Sequence, residues 1–200
     1  MVTEVVDTWI IDHGMHKERK SNMIRAREDY LRYLEADRIA LGRKHKYGFM
    51  DWLMDDIWTF ERLLRKVEYY HNCVKSTWGK VKRRILYYKL HRMKIRMSLS
   101  ITINVFDEGL SISHYGPIVI NDKAKIGKNC RIHVGVNIGE GGPDAKAPQI
   151  GDNCYLGPGA KLFGGIVLGD NVKVGANAVV NKSFPGGNCT LVGVPAHKVE

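Results

Sequence analysis

Of the eight histidines, two stand where a neutral-pH base would be useful. An imidazole titrates near neutrality, so histidine is the default general base for activating a hydroxyl. His13, His16, His45, His71 and His91 lie among polar and basic residues and read as surface groups. His197 belongs to the terminal GVPAHKV segment. His114 sits in Ser113-His114-Tyr115-Gly116-Pro117, and His133 follows Ile132. His114 stands six residues before Ile120, where a regular repeat would call for an aliphatic. A polar residue there, followed by Gly-Pro, predicts a distorted turn that exposes the ring. His133 should point outward, either into a cleft between neighbouring molecules or into solvent. Cys73, Cys130, Cys154 and Cys189 form no CxxC pair. No zinc site or disulfide framework is expected, and free thiols suit a reducing, cytoplasmic setting.

The elements that must position these residues differ between the two halves of the 200-residue chain. Seventeen of the 21 glycines follow residue 100. The formal charge of +10 belongs almost wholly to residues 1–100 and favours an anionic partner. No apolar run is long enough to span a membrane, and residues 1–11 lack the basic start of a signal peptide.

The first half, residues 1–98, reads as helical. Residues 22–41 hold neither Pro nor Gly, and Gly42 supplies a stop. A second helix is predicted from Asp51 to Asn72, with Leu53, Ile57, Phe60, Leu64 and Val67 along one face and Trp52 and Trp58 beside it. Residues 75–96 carry nine basic residues and no acid, interleaved with Trp78, Val81, Ile85, Tyr88 and Leu90. That composition suits a half-solvated helix or one facing lipid or substrate phosphates. Nucleic acid is not expected, because no helix-turn-helix, zinc-finger or aromatic RNA-binding pattern is present.

The second half, residues 99–200, has a period of six. Ile120, Ile126, Ile132 and Ile138 are followed in phase by Ile150, Leu156, Leu162, Leu168, Val174 and Val180. Four residues after most of these stand Ala124, Cys130, Val136, Cys154, Ala160, Ile166, Val172 and Ala178. Six residues rotate an α-helix by about 600°, which scatters the aliphatics over several faces. A three-faced solenoid keeps them all inside, each hexad giving a short strand and a corner. Gly and Asn serve the corners, where positive φ is common. Residues 139–149, GEGGPDAKAPQ, interrupt the phase as one protruding loop.

These hexads, with GLSISHYG, LGPGAKLFG, VGANAVVNKSF and GVPAHKV, make residues 109–198 resemble the serine acetyltransferases. They are equally similar to the hexapeptide-repeat acyltransferases of bacterial surface-polysaccharide gene clusters. The resemblance implies an α+β chain: a helical region, then a left-handed parallel β-helix. It implies acetyl-CoA as co-substrate, no metal, and His114 as the general base. Acceptor contacts fall to Ser113, Tyr115, His133 and Lys146, and acetyl-CoA contacts to Gly139, Gly157, Pro158, Ala176 and Lys182. It further implies a homotrimer with active sites between solenoids, and leaves a hexamer open. The sequence departs from serine acetyltransferases at Ser113, where they have Asp, and at Lys146-Ala147, where they have Arg-His. Their orienting Asp would fall near Leu99, leaving Asp107 or Glu108 as substitutes. These departures favour a saccharide acceptor, free or lipid-linked, with serine as the alternative. A non-catalytic scaffold or a zinc hydratase on the same fold are readings of another class.

Overall fold

The computed structural model describes residues 23–141 and 145–199. The expectations for residues 1–11, His13 and His16 fall outside them. Four helices come first: α1 (Arg27–Ala40), α2 (Phe49–Met54), α3 (Asp56–Asn72) and α4 (Thr77–Met97). Gly42, at φ +71°, turns the chain just after α1. The single helix predicted over 51–72 is two helices. Asp55 leaves helical geometry, and its carboxylate accepts the Trp58 N–H, so it caps α3. The predicted stripe divides accordingly. Phe60, Leu64 and Val67 are buried, whereas Leu53 and Trp52, on α2, are exposed.

From Leu99 onward the chain winds into three parallel sheets, each forming one face. Face one holds Leu99–Ser100, Ile118–Ile120, Asn137–Gly139, Lys161–Phe163 and Val179–Val180. Face two holds Lys125–Ile126, Gln149–Ile150 and Val167–Leu168. Face three holds Ser111–Ile112, Arg131–Ile132, Tyr155–Leu156, Lys173–Val174 and Thr190–Val192, closed by the antiparallel strand His197–Val199. Partners are 18 residues apart in the regular coils, as in Ile150↔Leu168 and Leu162↔Val180. They are 24 apart where a coil includes residues 139–149, as in Ile126↔Ile150 and Ile138↔Leu162. The loop therefore adds one hexad to one coil and leaves the register of every face intact.

All ten phased aliphatics are buried, as are all eight smaller residues, Cys130 and Cys154 included. Each large one contributes about 1.5–3 kcal/mol. Corner roles are divided. Asn129, Asn153, Asn171, Asn177 and Asn188 take positive φ, and Asn129 donates to Asn153 and Asn171 to Asn188 along one edge. The glycine directly after an aliphatic has a different reason. A Cβ on Gly151 would lie 2.4 Å from the backbone of Gly169 in the next coil.

The helices join the same core: Phe60, Leu64, Val67, Leu86, Leu90 and Met97 pack with the first coil. A buried ionic cluster fixes the joint. Arg65 on α3 pairs with Asp37 of α1 at 2.8 Å and with Glu68 at 3.0 Å, and donates to the carbonyls of Phe106 and Asp107. Asp37 also accepts the N–H groups of Gly109 and Leu110. Glu61 accepts the N–H of Ile112, two residues before His114. Burial and the neighbouring Asp37 push the Glu61 carboxyl well above the usual range.

Candidate active site

Ile112, not His114, fills the inward slot of the first coil. Ile112 pairs with Ile132 across 20 residues rather than 18, so two extra residues enter the turn. The slot expected for His114 is thereby vacated, and His114 is exposed on the corner between faces three and one. His133 occupies the same corner one coil later, half-buried, with its ring centroid 6.0 Å from that of His114. Tyr155, in the strand beside it, lies 5.1 Å from His133.

A short polar relay holds this pair. Arg131 Nε donates to Ser113 Oγ at 2.9 Å, and Ser113 Oγ lies 3.2 Å from His133 Nε2. Burial first, then Arg131 and His114, lowers the pKa of His133. All three effects favour the neutral ring. Sequence reasoning missed Arg131, although its position one residue before Ile132 marked it as outward-facing.

The carboxylates suggested as orienting groups are elsewhere. Asp107 accepts the Tyr33 hydroxyl at 2.6 Å, and Glu108 pairs with Arg32 and Lys128. Both lie on the corner between faces two and three, where they bind the helices. Among the described residues, none is seen to hydrogen-bond the His114 ring.

The other residues singled out from sequence separate into two columns. Pro158 and Ala176 continue the His114 corner through the third and fourth coils, both exposed, with Gly157 buried beneath them. Three coil steps of about 4.8 Å put Ala176 about 14 Å along the edge from His114. Gly157 is required by stacking, since a Cβ there would lie 2.8 Å from the Val174 carbonyl oxygen. Gly139, Lys146 and Lys182 lie instead on the corner between faces one and two. Gly139 faces the Phe163 ring, which a Cβ would meet at 2.8 Å. Lys146 closes the base of the added loop, bridging to Gly141. One copy of the chain therefore does not bring Lys146, Gly139 or Lys182 to His114.

Next to His114, Tyr115 opens onto a cleft of about 420 Å³ lined also by Met54, Asp55, Asp56, Ile57, Arg96 and Met97. Its volume is that of a small-molecule site. The Arg96–Asp56 ion pair crosses its rim. This contribution of α3 and α4 carried no sequence signal, because only the fold brings residues 55–57 to residue 115.

Residues 147–182 match the family model described as bacterial transferase hexapeptide (six repeats). The chain is 36% identical over 94 residues to a serine acetyltransferase of Synechococcus elongatus, covering 46% of this chain and 38% of that protein. It is 41% identical over 93 residues to the serine acetyltransferase of Staphylococcus xylosus, covering 46% and 43%. The alignments span less than half the length of these relatives. The crystal structure of Neisseria gonorrhoeae serine acetyltransferase superposes with a TM-score of 0.66 at 25% identity, over 88% of this chain and 68% of that one. Likeness in shape thus extends through the helical half, and the hexapeptide coils are those of a left-handed β-helix.

Proposed function

We propose that this chain is an acetyl-CoA-dependent O-acetyltransferase with His114 as general base. The acceptor hydroxyl gives its proton to His114, and its oxygen attacks the thioester carbonyl carbon. The carbon–sulfur bond breaks, and the proton returns to the departing CoA thiolate. A positioned base supplies about 10²–10⁴-fold, and holding both substrates in one cleft adds more. The observation that carries this reading is the corner column itself. It sets an exposed imidazole beside a neutral one at the head of an open edge about 14 Å long, suited to an extended thioester arm.

The two-column arrangement supports a homotrimer in which the 139–182 edge of a neighbour faces the His114 edge. Lys146, Gly139 and Lys182 would then act in a site they cannot reach within one copy. A hexamer through the helical half is compatible with this. We place the enzyme in the cytoplasm, with residues 75–96 contacting an anionic membrane surface. No described helix is long and apolar enough to cross a membrane.

The names of the relatives favour L-serine as acceptor over the saccharide expected from sequence. A saccharide stands as the second reading on a specific observation. Ser113, held by Arg131 and His133, stands where the serine acetyltransferases have Asp, and the cleft carboxylates Asp55 and Asp56 are already paired with Arg43 and Arg96. The test is release of CoA thiol from acetyl-CoA with L-serine or with saccharides. Serine-dependent release supports the first reading, and saccharide-dependent release the second. No release with either, from protein that binds acetyl-CoA, overturns the proposal.

A further inference from the structure

The acyl-transfer reading leaves unused the apolar surface of the helical half. On α4, Trp78, Val81, Ile85, Tyr88 and Ile95 are 84, 44, 52, 65 and 59% exposed. Their spacing follows one helix face, turned away from the buried Leu86, Leu90 and Met97. On α2, every apolar residue from Phe49 to Met54 is more than half exposed. The two helices flank a groove of about 670 Å³ on either side of Thr59 and Leu63 of α3, lined by Trp52 and Leu53 of α2 and by Tyr88 and Arg92 of α4. Tyr88 is the stripe residue that lines this groove.

Charge selects its occupant. Residues 75–96 hold nine cations and no acid, and Lys80, Lys82, Arg84, Lys89 and Arg92 are exposed. Pairing α4 with its own copy would oppose like charges along the whole seam. A bilayer with anionic lipids meets both demands, taking the aromatic and aliphatic side chains at the headgroup boundary and the cations at the phosphates.

We propose that α2 and α4 together dock this chain on an anionic membrane surface, with the apolar face of α2 entering beside the α4 stripe. This rests on the membrane contact proposed for residues 75–96 and adds its second element and its orientation. Asp56 and Arg96 line both the docking groove and the cleft that opens at Tyr115. The docked chain therefore turns the cleft at Tyr115 toward the lipid, which on the saccharide reading fits an acceptor carrying a lipid anchor.

The test is flotation of the full chain with phosphatidylcholine vesicles, with and without phosphatidylglycerol. The chain should float only with the anionic vesicles, and less as salt rises. Trp78→Glu combined with Ile85→Glu should weaken flotation by about tenfold or more. Lys80→Ala and Arg84→Ala should each weaken it by about fivefold. All four positions are exposed, so circular dichroism should be unchanged, as should thiol release with a soluble acceptor. Absence of flotation on anionic vesicles at low salt overturns the proposal. So does undiminished flotation of the Trp78→Glu, Ile85→Glu variant. If that variant forms a smaller oligomer by light scattering and floats as before, a second copy covers the stripe and the proposal falls. Thiol release is scored separately. A chain that floats yet releases no CoA keeps the docking surface and loses the transferase reading, and an active chain that does not float does the reverse.

Discussion

The coils and the helical joint are held by opposite physics. In the coils, specificity comes from repetition: an aliphatic every six residues, a small residue between, and corners that accept positive φ. The interior of the coils is apolar and insensitive to pH. In the joint, four buried ionisable groups, Asp37, Glu61, Arg65 and Glu68, tie two helices to the backbone of residues 104–112. The contrast teaches where the site is set. His114 lies where the two regimes meet, on a repeat broken by two extra residues and anchored from α3 through Glu61.

The comparison can be broken most sharply at the joint. Arg65→Ala leaves Asp37 and Glu68 buried without their partner and should cost about 3–5 kcal/mol in denaturant unfolding. Leu162→Ala in the coils should cost about 2–5 kcal/mol, by cavity formation. A negligible loss at Arg65 would mean that packing alone holds the joint.

Corner chemistry is the next smaller effect. Asn177 has φ 57°, so Asn177→Ala should cost about 1–2 kcal/mol, and Asn177→Gly clearly less. Equal losses for the two variants would show that the asparagine side chain, not the backbone, matters there.

The pH dependence separates the regimes most finely. The folded-state pKa of Glu61 is raised above its ordinary value of 4.5. Its protonated form favours folding, so its contribution is fully present below that value. The contribution is lost as pH rises through the folded-state pKa. Glu61→Gln keeps an acceptor for the Ile112 N–H and should flatten this loss in unfolding measured across pH. An unchanged profile would move the pH sensitivity of the joint to another group.

Legibility in the sequence follows the same division. The hexads made the coils readable because each position repeats one local environment ten times over. The coil before them was hidden, since Phe106, Ile112 and Ile118 keep the six-residue spacing but stand two residues out of phase with the run from Ile120. The single helix expected over 51–72 concealed a break, because the capping role of Asp55 depends on its own backbone bend. His114 and His133 were each readable as outward-facing, though not as neighbours one coil apart. The relay through Arg131 and Ser113 was not, since it needs the 20-residue register that only the distorted coil creates. The assignment of Asp107 and Glu108 failed because both carboxylates already serve the helices.

The most direct test of the central claim is the rate of CoA thiol release from acetyl-CoA by His114→Ala, with its oligomer verified by light scattering. The account predicts a fall of about 10²–10⁴-fold at unchanged assembly. A rate close to that of the unaltered chain would contradict it and remove His114 from the chemistry.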